Sequence, residues 1–461
     1  MQTITSERIG QQIQAFFGGT VEVVARASKF VQRRSKLTGQ KFLQALVFTC
    51  IEKTSMTIAS LADSCLDLGV NISEQAVDER LNQTAVLFLR QMFERALRHF
   101  QSQQALEVEL LQQFKHIYLV DSSQISLPAT MAELFPGAGG EGGEASWKMQ
   151  LVFDYLFGQF AQLEERNGRQ PDQGYRGHWA LIEAGALFLL DLGYFALDTF
   201  RQIADQGAYF LSRLQGQTAV LSASGQRLDL ATLLAAQRET QAEYSVLIGA
   251  RPQHRIPCRL IAIRLPQEAA DRQRQKAKDN AKRHGRTPDQ AYLQLLDWAL
   301  FITNVPQTML RTEHVAALYR IRWQVELVFK LCKSFAALDV VASLRPARVL
   351  CELYAKLIGV LLTYFLIAPV RLPDATAPQR EISPVKVRLL LQRFARSFSR
   401  SLGNRAAFCA EVDTFFRHVL RRAYKQIRRK KPNALFAIAL LSACYDWSPN
   451  DFSPDFLCLP S

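Results

Sequence analysis

Two short apolar runs, each closed by an aspartate, constrain this chain more than anything else in it. Ile117-Tyr-Leu-Val-Asp121 and Ala186-Leu-Phe-Leu-Leu-Asp191 read as buried strands that end in a carboxylate. Roughly the first 110 residues read as helices, so a mixed α/β unit begins near His116. Further strands are expected at Met149–Phe157, Gln159–Glu165 and Tyr209–Arg213, with a helix at Gln173–Glu183. Beyond Leu214 the pattern turns irregular. Glu243–Gly249 and Pro257–Leu265 look like strands, Gln267–Arg283 like a basic exposed helix, and another apolar segment holds Trp298, Phe301 and Ile302. This stretch reads as a second module inserted into the first. From Thr312 to about Leu338 the chain is strongly helical, and the rest is helical apart from Pro-rich breaks near 369–384 and after Lys431.

The organisation this predicts has five parts. A helical domain covers 1–110, and the core occupies 111–214 and 306–345. A β-rich insertion fills 215–305, and a basic helical region covers 346–461.

At 461 residues the chain is long enough for several domains and a sizeable core. Its eight cysteines form no Cys-x-x-Cys pair, which argues for a reducing compartment and against a thiolate zinc site. The amino terminus has no apolar block of signal-peptide length. The longest apolar run, Leu357–Val370, spans 14 residues, short of the about 20 that a bilayer span needs. It is expected to be a buried helix. The chain is expected in the cytosol, with no membrane partner.

Charge placement narrows the partners. Lys plus Arg number 56 against 42 Asp plus Glu, and the excess gathers late. Between Arg380 and Lys431 stand fifteen basic and three acidic residues, among them Arg428, Arg429, Lys430 and Lys431. Such a concentration suits a polyanion, nucleic acid above all. Two short helices around Gly69, the second starting at Ser73, resemble a helix-turn-helix that offers Gln75, Asp78, Glu79 and Arg80 outward.

The chemistry rests on acids. Neighbouring strands ending at one sheet edge bring Asp121 and Asp191 close, and two carboxylates in a dry site repel unless a cation lies between them. Hard oxygen ligands suit Mg²⁺ or Mn²⁺, and two such ions about 4 Å apart serve phosphodiester chemistry. Further along, Tyr319, Arg322, Glu326, Lys330 and Lys333 recur at intervals of three and four. They form one polar stripe, while Ile321, Val325, Val328 and Leu331 supply an apolar face for packing on the sheet. The seven histidines are scattered without a His-Glu-x-x-His pair. The glycines at 137–143 lack the Lys-Ser/Thr of a phosphate-binding loop.

The spacing Tyr319-x2-Arg322-x3-Glu326-x6-Lys333 resembles the signature of the IS4-type DDE transposases. Asp121 in Leu-Val-Asp-Ser-Ser and Asp191 in Leu-Leu-Asp-Leu-Gly-Tyr resemble that family's two aspartate motifs. The resemblance covers roughly residues 30–370. It implies an RNase H-like core interrupted by a β-rich insertion, and cut-and-paste cleavage and strand transfer at the ends of an insertion sequence. It further implies that Asp121, Asp191 and Glu326 hold two Mg²⁺ or Mn²⁺ ions. Tyr319, Arg322, Lys330 and Lys333 are then expected to grip phosphates, and Arg213 to contact the element's end. Trp298 stands where hairpin-forming relatives stack a flipped base; filling the insertion's core is its other reading. Double-stranded DNA and a second copy of the chain in a synaptic dimer are the implied partners. A non-catalytic DNA-binding derivative and an RNase H-like nuclease remain as alternatives. Ser-Ser after Asp121 and the long Gly-rich loop depart from the family pattern, and neither removes a ligand.

Overall fold

Capping residues set the starts of most amino-terminal helices. The computed structural model describes residues 6–139, 143–371 and 381–426. Helix α1 (Ser6–Phe17) buries Ile9, Ile13, Phe16 and Phe17, and α2 (Val21–Ala27) follows. Helix α3 (Gly39–Glu52) starts at Thr38, whose side chain accepts the Lys41 N–H, and buries every residue from Phe42 to Ile51. A helix apolar all round must be enclosed by others. Helices α4 (Ile58–Asp67), α5 (Glu74–Arg80) and α6 (Gln83–His99) begin at Thr57, Ser73 and Asn82, each capping with its own side chain. The short α7 (Glu109–Gln112) leads into the sheet.

Nine strands form that sheet: β1 (Ile117–Leu127), β2 (Ala145–Asp154), β3 (Gln159–Asn167), β4 (Leu187–Leu190), β5 (Tyr209–Arg213), β6 (Val220–Ser222), β7 (Gln241–Ile248), β8 (Ile256–Arg264) and β9 (Trp298–Thr303). Their order is β3-β2-β1-β4-β5-β9-β8-β7-β6. Strands β1, β4 and β5 run parallel and the other pairs antiparallel. The first five strands have the order and direction of an RNase H-like core. The insertion does not stand apart as a module: β9 pairs with the open edge of β5, Leu211 opposite Thr303, so one sheet runs through both. An unpaired edge is a ready template for another strand, and the insertion covers it.

Helix α8 (Leu197–Asp205) joins β4 to β5, while α9 (Leu230–Ala235), α10 (Gln267–Arg283) and α11 (Gln290–Leu295) belong to the insertion. Then come α12 (Thr312–Arg320), a 3₁₀ turn at Ile321–Trp323, α13 (Gln324–Lys330) and a π turn at Leu331–Phe335. Helices α14 (Pro346–Ile367), α15 (Pro384–Ser401) and α16 (Arg405–Arg422) complete the described chain. The apolar stretch of α14 is the buried helix expected from its length; it is long and apolar enough to cross a membrane, yet most of it lies inside the fold. The helix expected at Gln173–Glu183 is only a 3₁₀ turn, Gly177–Leu181.

Strand alternation divides the core in two. Leu119, Leu151 and Leu189 face the helical layer, whereas Val120, Val152, Phe188 and Leu190 face the side of Phe200 and Ile203. The helical layer mixes both ends of the chain: α1 packs on α16, and α3 on α14 and α15. Gln44 Nε2 donates to Ser399 O at 2.6 Å and Gln392 Nε2 to Glu52 O at 2.8 Å. The flanking regions expected as separate helical domains therefore share one core, because neither can cover its apolar faces alone.

Candidate active site

Pairing register brings the predicted aspartates together. Val120 lies opposite Leu190 across β1 and β4, and Leu190 opposite Ser212 across β4 and β5. The next residue along each is Asp121, Asp191 or Arg213, so all three stand level where the parallel pairing stops; β4 and β5 end there, whereas β1 runs on to Leu127 against β2, which corrects the expectation that Asp121 closes its strand. Asp121 and Asp191 follow Leu119 and Leu189 by two positions, which turns both toward the face that carries α13.

The helix delivers the remaining groups. Ile321, Val325 and Leu331 are fully buried, and Val328 almost so, which seats the apolar face of α12–α13 as its periodicity predicts. Arg322 Nη1 lies 3.3 Å from Asp121 Oδ2 and 3.8 Å from Asp191 Oδ2, and its Nη2 lies 3.2 Å from Glu326 Oε1. Three acids from three separate elements thus surround one guanidinium whose side chain is only 7% exposed. Burial pushes the Asp121 carboxyl up to about 7, against the pull of Arg322, while Asp191 and Glu326 add to the rise. Arg322 is itself desolvated, yet its pKa is raised by Asp191, Asp121 and Glu326.

The charge at this site is unbalanced in a way that fits divalent cations. Three carboxylates face one guanidinium, and the donors are hard oxygens at the rim of a sheet. Among the described residues no three acidic, His or Cys side chains are gathered closely enough to hold an ion as they stand. Arg322 fills the space they share.

Other predicted residues occupy varied positions. Tyr319 is 1% exposed and donates its hydroxyl to Leu190 O at 3.2 Å. In this position its hydroxyl is turned to the strand, and the bond secures the residue before Asp191. Arg322 likewise points inward to the acids and not outward. Lys330 is exposed and Lys333 half-buried, further along the same helix. Arg213 lies beside Tyr319, close enough to act on its phenol.

Trp298 is 6% exposed, packed in a cluster with Leu234, Ala242 and Ala262, and the Arg264 guanidinium sits 4.4 Å from its ring centre. A ring enclosed in this way fills a core, which corrects the base-stacking expectation. The exposed indole near the acids is Trp323, 37% exposed and one residue after Arg322. Its position inside the Tyr-Arg-Glu-Lys spacing was the signal available in the sequence. Of the residues expected to face outward on α5, Asp78 instead pairs with Arg345 and Arg348.

Much of the late basic charge is neutralised within the fold. Asp67 on α4 meets Arg396 and Arg400, Glu7 meets Arg405, and Glu381 meets Lys425. Arg388 is buried and donates to Cys50 O. The four consecutive cations from Arg428 lie outside the described residues.

The family described as "Transposase DDE domain" matches residues 112–362, the span that carries all three acids. The transposase for insertion sequence element IS231F from Bacillus thuringiensis subsp. israelensis is 26% identical over 450 residues, covering 93% of each chain. The transposase for IS1151 from Clostridium perfringens is 26% identical over 397 residues, covering 81% of this chain and 83% of that protein. A solved piggyBac transposase synaptic complex with hairpin DNA aligns at 9% identity with a TM-score of 0.43, covering 97% of this chain and 87% of that one, a likeness too distant to bear on the site. With the matched span running from the helix before β1 into α14, and relatives aligned over nearly their whole length, this chain belongs to the DDE transposase family.

Proposed function

We propose that this chain cuts DNA at the ends of an insertion sequence and joins the freed ends to a target, with Asp121, Asp191 and Glu326 as its catalytic acids. Membership of the family makes it a DNA-acting transposase dependent on divalent metal. The finer reading is that the three acids hold two Mg²⁺ or Mn²⁺ ions. When bound, such ions activate a water or 3′-hydroxyl and offset charge on the phosphodiester undergoing in-line displacement. The observation that carries the proposal is the meeting of three acids, far apart in the chain, around the Arg322 guanidinium at one sheet edge.

The protein's own work in this reaction is placement and charge. Tyr319 holds the end of β4 through Leu190 O, so Asp191 is presented from a fixed strand. Arg322 keeps the mutually repelling carboxylates together before substrate arrives. Lys330, Lys333 and Arg213 supply cations for the DNA backbone around the acids, and the exposed face of Trp323 is available to stack on a base. The hairpin route rested on Trp298 and loses that support with the ring enclosed. In this proposal the amino-terminal helices, including α4 and α5, bind the element's ends, and two copies act together because two ends must be joined. The reaction takes place in the cytoplasm, where the element's DNA is.

Glu326→Gln keeps the side chain's shape and removes one anionic ligand. The expected result is loss of cleavage in Mg²⁺ with DNA binding retained, read by gel assays on a duplex carrying the element's end. Cleavage at the wild-type rate by this variant removes the catalytic assignment.

A further inference from the structure

A second polar cluster lies behind the acids, on the opposite face of the sheet. Strand alternation turns Ser122 away from Asp121, while the Ser122 backbone N–H donates to Asp121 Oδ1 at 2.8 Å. Ser122 Oγ donates to Asp172 Oδ1 at 2.7 Å. The same oxygen accepts from Gln150 Nε2 at 2.7 Å and faces Lys148 Nζ at 2.8 Å. Lys148 also donates to Gln170 O at 2.7 Å. Gln150 Oε1 in turn accepts the Tyr194 hydroxyl at 2.7 Å, and Tyr194 closes the turn opened by Asp191, its N–H donating to Asp191 O at 2.9 Å.

This cluster is expensive to bury. Lys148 is 5% exposed and Gln150 is fully enclosed, both on a strand buried along its whole length. A buried lysine and amide are tolerated only when every donor is used. Here three donors meet on one carboxylate oxygen, and hydrogen bonds from Lys148, Ser122 and Gln150 outweigh burial to hold Asp172 ionised. The chain of bonds runs from the residue beside Asp121, through Asp172 and Gln150, to the turn that begins at Asp191. It ties the middle of β1 and the end of β4 to β2.

We infer that Asp172, Lys148 and Gln150 are positioning residues that fix the separation of the Asp121 and Asp191 carboxylates, and through it the affinity of the site for divalent ions. The inference rests on the metal reading of those two acids. Groups that orient the ligands of a metal site typically change affinity about 10–100-fold when removed, without touching the ion.

Mn²⁺ binding by the full-length chain tests this, followed by titration calorimetry and by the EPR spectrum of the bound ion, well below the melting temperature. Asp172→Asn is expected to weaken Mn²⁺ binding by about 10–100-fold and to alter the spectrum. Ser122→Ala, which removes only one bond of the network, should move both in the same direction. His116→Gln, at the far end of β1, lowers stability without reaching the network and should leave Mn²⁺ affinity unchanged. Affinities for Asp172→Asn and Ser122→Ala within about twofold of wild type, or losses matched by His116→Gln, overturn the inference. Asp121→Asn separates the two levels: its loss of Mn²⁺ binding upholds the metal reading independently, and wild-type binding overturns that reading and this inference together.

Discussion

Removing the ammonium of Lys356 is expected to destabilise the whole fold and to loosen the end of the helix that bears Glu326. Lys356 and Glu352 sit on α14 with both side chains fully buried, Nζ 2.8 Å from Glu352 Oε1. The ammonium also donates to Ala337 O at 2.7 Å and Val340 O at 2.6 Å, just beyond the π turn that follows the helix bearing Glu326. Ala337 is held at φ 51°, a conformation that costs an L-residue about 1–2 kcal/mol, so this turn relies on its outside contacts. Lys356→Met leaves an unpaired buried carboxylate, at a cost of about 3–5 kcal/mol. Each carbonyl deprived of its donor adds about 1–3 kcal/mol when it stays buried and unbonded. Against a total stability of roughly 5–15 kcal/mol, the variant should show a sharply lower urea midpoint. Glu352→Leu with Lys356→Met removes both charges and leaves only the carbonyl loss, so the double variant should be the more stable of the two. A cost for Lys356→Met below about 1 kcal/mol, or a double variant no more stable than the single one, refutes the reasoning.

The two tryptophans make opposite predictions. Trp298→Ala should cost about 3–5 kcal/mol of stability as a core truncation, whereas Trp323→Ala should change stability by less than about 0.5 kcal/mol and weaken binding to unpaired DNA ends; equal melting losses would contradict the placement of both rings. His116 gives a pH signature. Its Nδ1 lies 2.6 Å from the buried Asp154 Oδ2 and its Nε2 3.3 Å from Glu183 Oε1, with Lys115 also on Glu183. The hydrogen bond to Asp154 raises its pKa against the effect of burial and of Lys115. Because the folded chain holds this proton more tightly than the unfolded one, the contribution is complete below the ordinary imidazole value of about 6.5. It vanishes as pH rises through the folded value. The melting gap between wild type and His116→Gln should therefore be widest in mild acid and close in alkali, and a gap independent of pH would show that the pair contributes nothing through charge.

Local pattern sufficed for the elements that carry chemistry. The apolar run before Asp191 is β4, the run before Asp121 is the first part of a β1 that continues to Leu127, and the intervals among Tyr319, Arg322 and Glu326 set one helical face, because side-chain direction follows from period alone. The same period could not tell which side of that face meets protein. Tyr319 and Arg322 are enclosed, Lys330 is exposed, and only the closeness of the sheet edge decides this. Nor could composition reveal that Asp67 and Glu7 answer cations more than 300 residues later, or that Trp298 sits under Arg264. The segment 173–183 carries helix-like periodicity yet folds as a single 3₁₀ turn, and its neighbour Asp172 is drawn to Lys148 and Gln150 across the sheet.

What the sequence determined by itself was which residues are acidic, where the apolar strand segments lie and which helical positions share a side, since each depends on neighbours a few places away. The level alignment of Asp121, Asp191 and Arg213, the insertion of Arg322 among the acids and the joining of both chain ends into one core were decided only in three dimensions. They depend on strand register and on contacts between segments tens to hundreds of residues apart, which no local period encodes.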